Sequence, residues 1–227
     1  MQITQHPSPN FGERREGAKP DLIVLHYTAM TKAAAALDRL CDPTCEVSAH
    51  YLIGSDGQVI QMVQEDMRAW HAGAGAWGAC TDVNSRSIGI ELANNGQTPF
   101  AAAQMDALEI LMAGIMDRWS IRPERVIAHS DMAPSRKGDP GRRFDWERLA
   151  KSNLSVWPTA QDPAKTSTFR TNALKFGYPA TDTDDQLLDA FRQRFRPWAT
   201  DALDAKDAAL AADLAARFPV DQTPTST

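Results

Sequence analysis

Ile127-Ala128-His129-Ser130-Asp131-Met132-Ala133-Pro134-Ser135-Arg136-Lys137-Gly138-Asp139-Pro140-Gly141 is the segment from which the rest of the chain is read. Val126-Ile127-Ala128 is a short apolar run bounded by polar residues, the pattern of a buried strand, and it delivers His129 at its end. Lys137 and Asp139 follow in a loop rich in proline and glycine that can fold back toward the strand end. An imidazole, an ammonium and a carboxylate in one loop are groups that a Lewis-acid hydrolase has to assemble.

Working outward, Leu22-Ile23-Val24-Leu25 is a second continuous apolar run, a buried central strand with His26 at its C-terminal end. A catalytic zinc takes three protein ligands and keeps one position open, and His26, His129 and Asp139 fit that count. Read alone, a strand-end histidine is more often a hydrogen-bonded structural residue than a ligand; two of them with the loop carboxylate bring the two readings level. Lys137 is either a solvated loop cation or an electrophile that stabilises an oxyanion. Glu91 ends the otherwise apolar run Ser87-Ile88-Gly89-Ile90-Glu91-Leu92, where a carboxylate is either half-exposed at a sheet edge or placed to accept a proton from water. His50 lies inside a strand-like run, and Trp70-His71-Ala72-Gly73 offers an aromatic face and a donor suited to a sugar or peptide. These three, His50, Trp70 and His71, are the candidate substrate contacts; His6, in the polar start, is read as inert.

The remaining pattern sets the fold class. Thr28 or Thr31 is placed to cap an alanine-rich helix over 32–40, which Pro43 ends. Two apolar runs, 49–53 and 59–63, flank Gly54-Ser55-Asp56-Gly57 and predict a hairpin. Thr98-Pro99 reads as the start of a long helix whose Leu108, Leu111, Met112, Ile115 and Trp119 share one face. Strands interleaved with helices predict an α/β (α+β) domain over 1–150 with a mixed central sheet flanked by helices. A linker over 151–165 follows, then a small three-helix module over 166–220, broken at Gly177-Tyr178-Pro179, and a disordered tail over 221–227.

At 227 residues, 43% hydrophobic and 23% charged, the chain has the composition of a soluble globular protein. Its net charge of −5, from 24 basic and 29 acidic residues, argues against nucleic acid or an anionic membrane as partner. No apolar run approaches the roughly 18 residues a membrane span needs. The start lacks the apolar core of a signal peptide, which favours the cytoplasm, with the periplasm or envelope as the alternative. Cys41, Cys45 and Cys80 are read as free thiols of a reducing compartment.

Leu25-His26-Tyr27-Thr28, Ser48-Ala49-His50-Tyr51-Leu52-Ile53, Ala69-Trp70-His71-Ala72-Gly73, Ser87-Ile88-Gly89-Ile90-Glu91-Leu92 and the loop from His129 to Gly141, closing with Phe144-Asp145-Trp146, resemble the zinc-dependent N-acetylmuramoyl-L-alanine amidases. That family shares a fold with phage lysozyme-like amidases and peptidoglycan recognition proteins, and its blocks occur here in family order from about residue 7 to 147. The resemblance implies zinc on His26, His129 and Asp139, Glu91 as the group that activates water, and Lys137 as the transition-state stabiliser. It implies cleavage of the amide between N-acetylmuramic acid and L-alanine in peptidoglycan or muropeptides. The segments Phe176-Gly177-Tyr178-Pro179 and Ala190-Phe191-Arg192-Gln193-Arg194-Phe195-Arg196-Pro197 more loosely resemble a helical peptidoglycan-binding domain. The alternatives are a muramyl-peptide sensor without activity and a zinc peptidase acting on another stem-peptide bond. Relatives without activity typically lack a zinc ligand, and all three candidates are present here.

Overall fold

The computed structural model describes residues 2–159 and 162–221. The strands are β1 (Ile3–Gln5), β2 (Phe11–Gly12), β3 (Leu22–Tyr27), β4 (Tyr51–Ile53), β5 (Val59–Gln61), β6 (Arg68–Ala69), β7 (Ser87–Leu92) and β8 (Val126–Ala128). The α-helices are α1 (Ala33–Cys41), α2 (Val83–Arg86), α3 (Ala102–Trp119), α4 (His129–Met132), α5 (Trp146–Lys151), α6 (Phe169–Phe176), α7 (Asp184–Phe195) and α8 (Ala205–Arg217). Six strands form one sheet in the order β1-β5-β4-β7-β3-β8, and β2 pairs with β6 in a small antiparallel ribbon. Within the large sheet only the hairpin pair β4–β5 is antiparallel, so the sheet is mixed, as the sequence pattern predicts.

The apolar run of β3 lies between two parallel neighbours, and Leu22, Ile23, Val24 and Leu25 are fully buried. Alternation along the strands sends their side chains to opposite faces. Ile23, Leu25, Ile88, Ile90 and Leu92 face α3, where Leu108, Leu111, Met112 and Ile115 complete one core. Leu22, Val24 and Ile127 face the other way and pack with Phe169, Phe176, Phe191, Phe195 and Leu214 of the C-terminal helices. A third cluster joins Ala36 and Leu40 of α1 to Leu52 and Ile60. Burial of each large side chain stabilises the fold by about 1.5–3 kcal/mol.

Two local expectations change. Helix α1 begins after Lys32 with no side-chain cap, because Thr28 bonds to the backbone of Met30 instead. Helix α3 begins at Ala102, not at Thr98-Pro99. The Asn95 side chain accepts from the N–H groups of Gln97 and Thr98 and from the Thr98 hydroxyl, which builds a turn where the cap was expected. The polar start is also part of the fold. β1 adds a parallel strand beside β5, and Asn10 donates to the carbonyls of Asp42 and Val47 at 2.8 Å each. His6 is exposed.

The C-terminal helices cover the face of the sheet that carries Leu22 and Val24. Arg194 of α7, buried beside the Trp146 ring, donates to Asp131 Oδ2 at 2.6 Å and to the Val126 carbonyl at 2.9 Å. The Tyr178 hydroxyl donates to Asp131 Oδ1 at 2.7 Å. Leu154, Ser155 and Val156, in the segment read as a linker, are buried. The expected tail lies outside the described residues, apart from Asp221. Among the described residues, no helix is long and apolar enough to cross a membrane. Cys41, Cys45 and Cys80 are free thiols.

Candidate active site

Parallel pairing of β3 with β7 sets His26 opposite Glu91 at the C-terminal ends of both strands. Strand β8, on the other side of β3, ends at Ala128, so that His129 opens α4 beside them. Asp131 stabilises this turn by accepting the N–H of Ala128 at 2.8 Å. The loop after α4 returns to the strand ends, and the Ser130 N–H donates to the Asp139 carbonyl at 3.0 Å. Three distant parts of the chain thus meet. His26 Nδ1 lies 2.9 Å from His129 Nδ1 and 2.9 Å from Asp139 Oδ2, and His129 Nδ1 lies 3.0 Å from the same oxygen. All three residues are buried.

With neutral rings, hydrogen bonds alone do not satisfy this triangle. His129 Nε2 faces the Ala72 carbonyl at 2.9 Å, so in the neutral ring it carries the hydrogen and donates. The Nδ1 atom then presents a lone pair to the Asp139 carboxylate at 3.0 Å, a repulsive contact unless a cation lies between them. Two imidazole nitrogens and one carboxylate oxygen are also the donor set of a catalytic zinc site.

A cleft of about 430 Å³ opens beside the triad and is lined by His26, Trp70, His71, Glu91, His129, Lys137 and Asp139 together with Tyr27 and Arg136. Glu91 Oε2 is buried and has no hydrogen-bond partner among the described residues. Burial raises its carboxyl, the Asp139 charge adds to the effect and Lys137 opposes it, leaving the group at about 8. A carboxyl so placed exchanges protons near neutral pH.

His50 is not brought to the cleft. It is fully buried; its Nδ1 accepts from the Gly89 N–H at 2.9 Å, which leaves Nε2–H to donate to the Met67 carbonyl at 3.1 Å. Burial, with the Arg14 charge, pulls this imidazole to about 3 and keeps it neutral. His71 lines the cleft, but both ring nitrogens are engaged within the protein. Nδ1 lies 3.0 Å from His26 Nε2, and Nε2 lies 3.2 Å from Ser87 Oγ. Trp70 remains a half-buried aromatic wall.

Residue-by-residue reading passed over Arg136, Ser87 and Gly89. Arg136 donates to the Ala72 carbonyl at 2.8 Å. Ser87 and Gly89 alternate with Glu91 and so share its face of β7. The available signal was the glycine itself, since glycine inside a strand marks a close approach by another group.

Comparison with known proteins agrees with this geometry. The profile of the N-acetylmuramoyl-L-alanine amidase family matches residues 16–142. The N-acetylmuramoyl-L-alanine amidase AmiD of Escherichia coli is 36% identical over 209 residues, covering 78% of this chain and 75% of AmiD. The structure of E. coli AmiD with the substrate anhydro-N-acetylmuramic acid-L-Ala-D-gamma-Glu-L-Lys is similar to this fold, with a TM-score of 0.81, 32% identity and coverage of 93% of this chain and 99% of that one. AmpDh3 from Pseudomonas aeruginosa, in complex with anhydromuramic pentapeptide, aligns with a TM-score of 0.77 at 31% identity, covering 94% of this chain and 96% of that one. The match spans the strand-end cluster and the loop that completes it, and the chain belongs to the N-acetylmuramoyl-L-alanine amidase family.

Proposed function

We propose that this chain hydrolyses the amide that joins the lactyl carbonyl of N-acetylmuramic acid, or of its 1,6-anhydro form, to L-alanine of peptidoglycan or muropeptides. The observation that carries the reading is the convergence of His26 Nδ1, His129 Nδ1 and Asp139 Oδ2 within about 3 Å of one another, with Glu91 opposite His26 on the next strand. His26, His129 and Asp139 would hold a zinc ion, which when bound polarises the carbonyl and makes hydroxide available at neutral pH. Glu91, in its ionised form, accepts the proton of the attacking water and passes it to the nitrogen of the leaving L-alanine. Lys137 places a positive charge on the cleft wall, where it stabilises the oxyanion of the tetrahedral species. Trp70 offers an apolar face to the sugar or the stem peptide.

The anhydro form is supported by the bound molecules named for the AmiD and AmpDh3 structures. For the domains, we propose a catalytic region over 1–150, a connection over 151–165 and a helical segment over 166–220 that braces the catalytic region through their shared core. Incubation of the zinc-loaded protein with anhydromuropeptide and with intact sacculi, read by mass spectrometry, tests the reaction. The expected products are 1,6-anhydro-N-acetylmuramic acid from the anhydromuropeptide, glycan stripped of peptide from the sacculi and, from either, a peptide that begins at L-alanine. Cleavage inside the stem peptide instead, or no cleavage of either substrate, overturns the reading.

A further inference from the structure

We propose that the dipeptide His71-Ala72 orients both imidazoles of the triad, and that Ser87 fixes the proton on His71 that makes this possible. The proposal rests on the reading of His26 and His129 as metal ligands.

The order of protons follows from the donors and acceptors. The Ser87 hydroxyl has one hydrogen, and it donates it to the Val83 carbonyl at 2.5 Å. Toward His71 Nε2, at 3.2 Å, Ser87 Oγ therefore acts as acceptor, and Nε2 carries the hydrogen. In the neutral ring His71 Nδ1 is then a lone pair. It accepts from His26 Nε2 at 3.0 Å, which places the His26 hydrogen on Nε2 and leaves His26 Nδ1 bare toward Asp139. On the other ligand, the Ala72 carbonyl performs the same task for His129 Nε2. Consecutive residues thus turn two lone pairs toward one point.

Two further features hold the dipeptide in place. Asn84 Oδ1 accepts from both backbone N–H groups, from His71 at 3.1 Å and from Ala72 at 2.9 Å. A Cβ at Gly89 would lie 2.4 Å from His71 Cγ, so the ring occupies room that only glycine leaves open on the strand. Ser87, Gly89 and Glu91 therefore follow one another on a single face of β7. The first sets a proton, the second seats a ring, and the third faces the cleft. Hydrogen bonds of this kind behind a ligating histidine typically change metal affinity about 10- to 100-fold when removed.

Long-range proton–nitrogen correlation spectra of the metal-free protein read which ring nitrogen carries each hydrogen. The expected result is Nε2–H on His26, His71 and His129, with the single form of His71 lost in Ser87→Ala. Chelator competition should show zinc affinity falling about 10- to 100-fold in His71→Leu and recovering in His71→Gln, whose amide supplies an acceptor and a donor. A hydrogen on His26 Nδ1 with none on Nε2 overturns the proposal, as does unchanged zinc affinity in His71→Leu. Nε2–H on His26 together with no zinc binding by the wild-type chain supports the proton order and overturns the metal reading.

Discussion

His26 and Glu91 stand on neighbouring strands of the sheet, whereas His129, Lys137 and Asp139 come from one helical turn and the loop after it. The strand-borne half takes its geometry from the β3–β7 register and from residues on the same face, Ser87 and Gly89. The loop-borne half has no ladder to hold it, and much of its bracing comes from the far end of the chain. Arg194 and Tyr178 grip Asp131, two residues past His129. Asp182 accepts the Ser135 N–H at 3.1 Å, and Arg142 pairs with Asp189 and the Pro197 carbonyl. A sheet positions catalytic groups by itself, whereas a loop site depends on whatever covers it.

Mutations break this comparison in graded steps. The largest effect is expected from His129→Ala, which removes one of the three donors: bound zinc measured by elemental analysis and amidase turnover should both fall to background. Next, Glu91→Ala strikes the strand half alone. Zinc should stay bound while turnover on anhydromuropeptide falls about 10²- to 10⁴-fold. If this variant keeps the wild-type rate, Glu91 is not the base.

Arg194→Met tests the bracing of the loop half from helix α7. It leaves the buried Asp131 carboxylate without its guanidinium, so urea denaturation should show a loss of about 3–5 kcal/mol. Glu91→Gln probes the strand half through pH. In the metal-free protein, burial holds the Glu91 carboxyl at about 8 against an ordinary 4.5, so the folded state keeps a proton that the unfolded state releases earlier. Stability is therefore lost as pH rises from 4.5 toward 8, and the neutral variant is spared that loss. Thermal melts should show the advantage of Glu91→Gln widening across that window. The smallest effect is expected from Asp189→Ala, whose ion pair with Arg142 is exposed to solvent: its loss should cost under about 1 kcal/mol in the same denaturation assay.

Much of the fold was legible because its signals are short-range. The apolar runs at β3, β7 and β8, the Asp-Gly turn of the hairpin and the helical spacing of Leu108 to Ile115 each read correctly from a few neighbouring residues. The helix starts failed where a side chain had a competing local partner, as with Thr28 at Met30 and Thr98 at Asn95. His50 was misplaced because alternation along a strand does not say which side chains reach a cleft and which end in the core.

The residue types that meet at the site, His26, Glu91, His129, Lys137 and Asp139, were set by the sequence, through strand ends and one loop whose spacing and likeness to a family mark them out. Which nitrogen each histidine turns inward was decided only by the tertiary structure, as was the fact that the C-terminal helices close the sheet face beneath the site. The physical reason is range. Periodicity and turn chemistry act over a few residues, but a ring's proton and a loop's footing are set by groups such as Ala72 and Arg194 that lie more than fifty residues away along the chain.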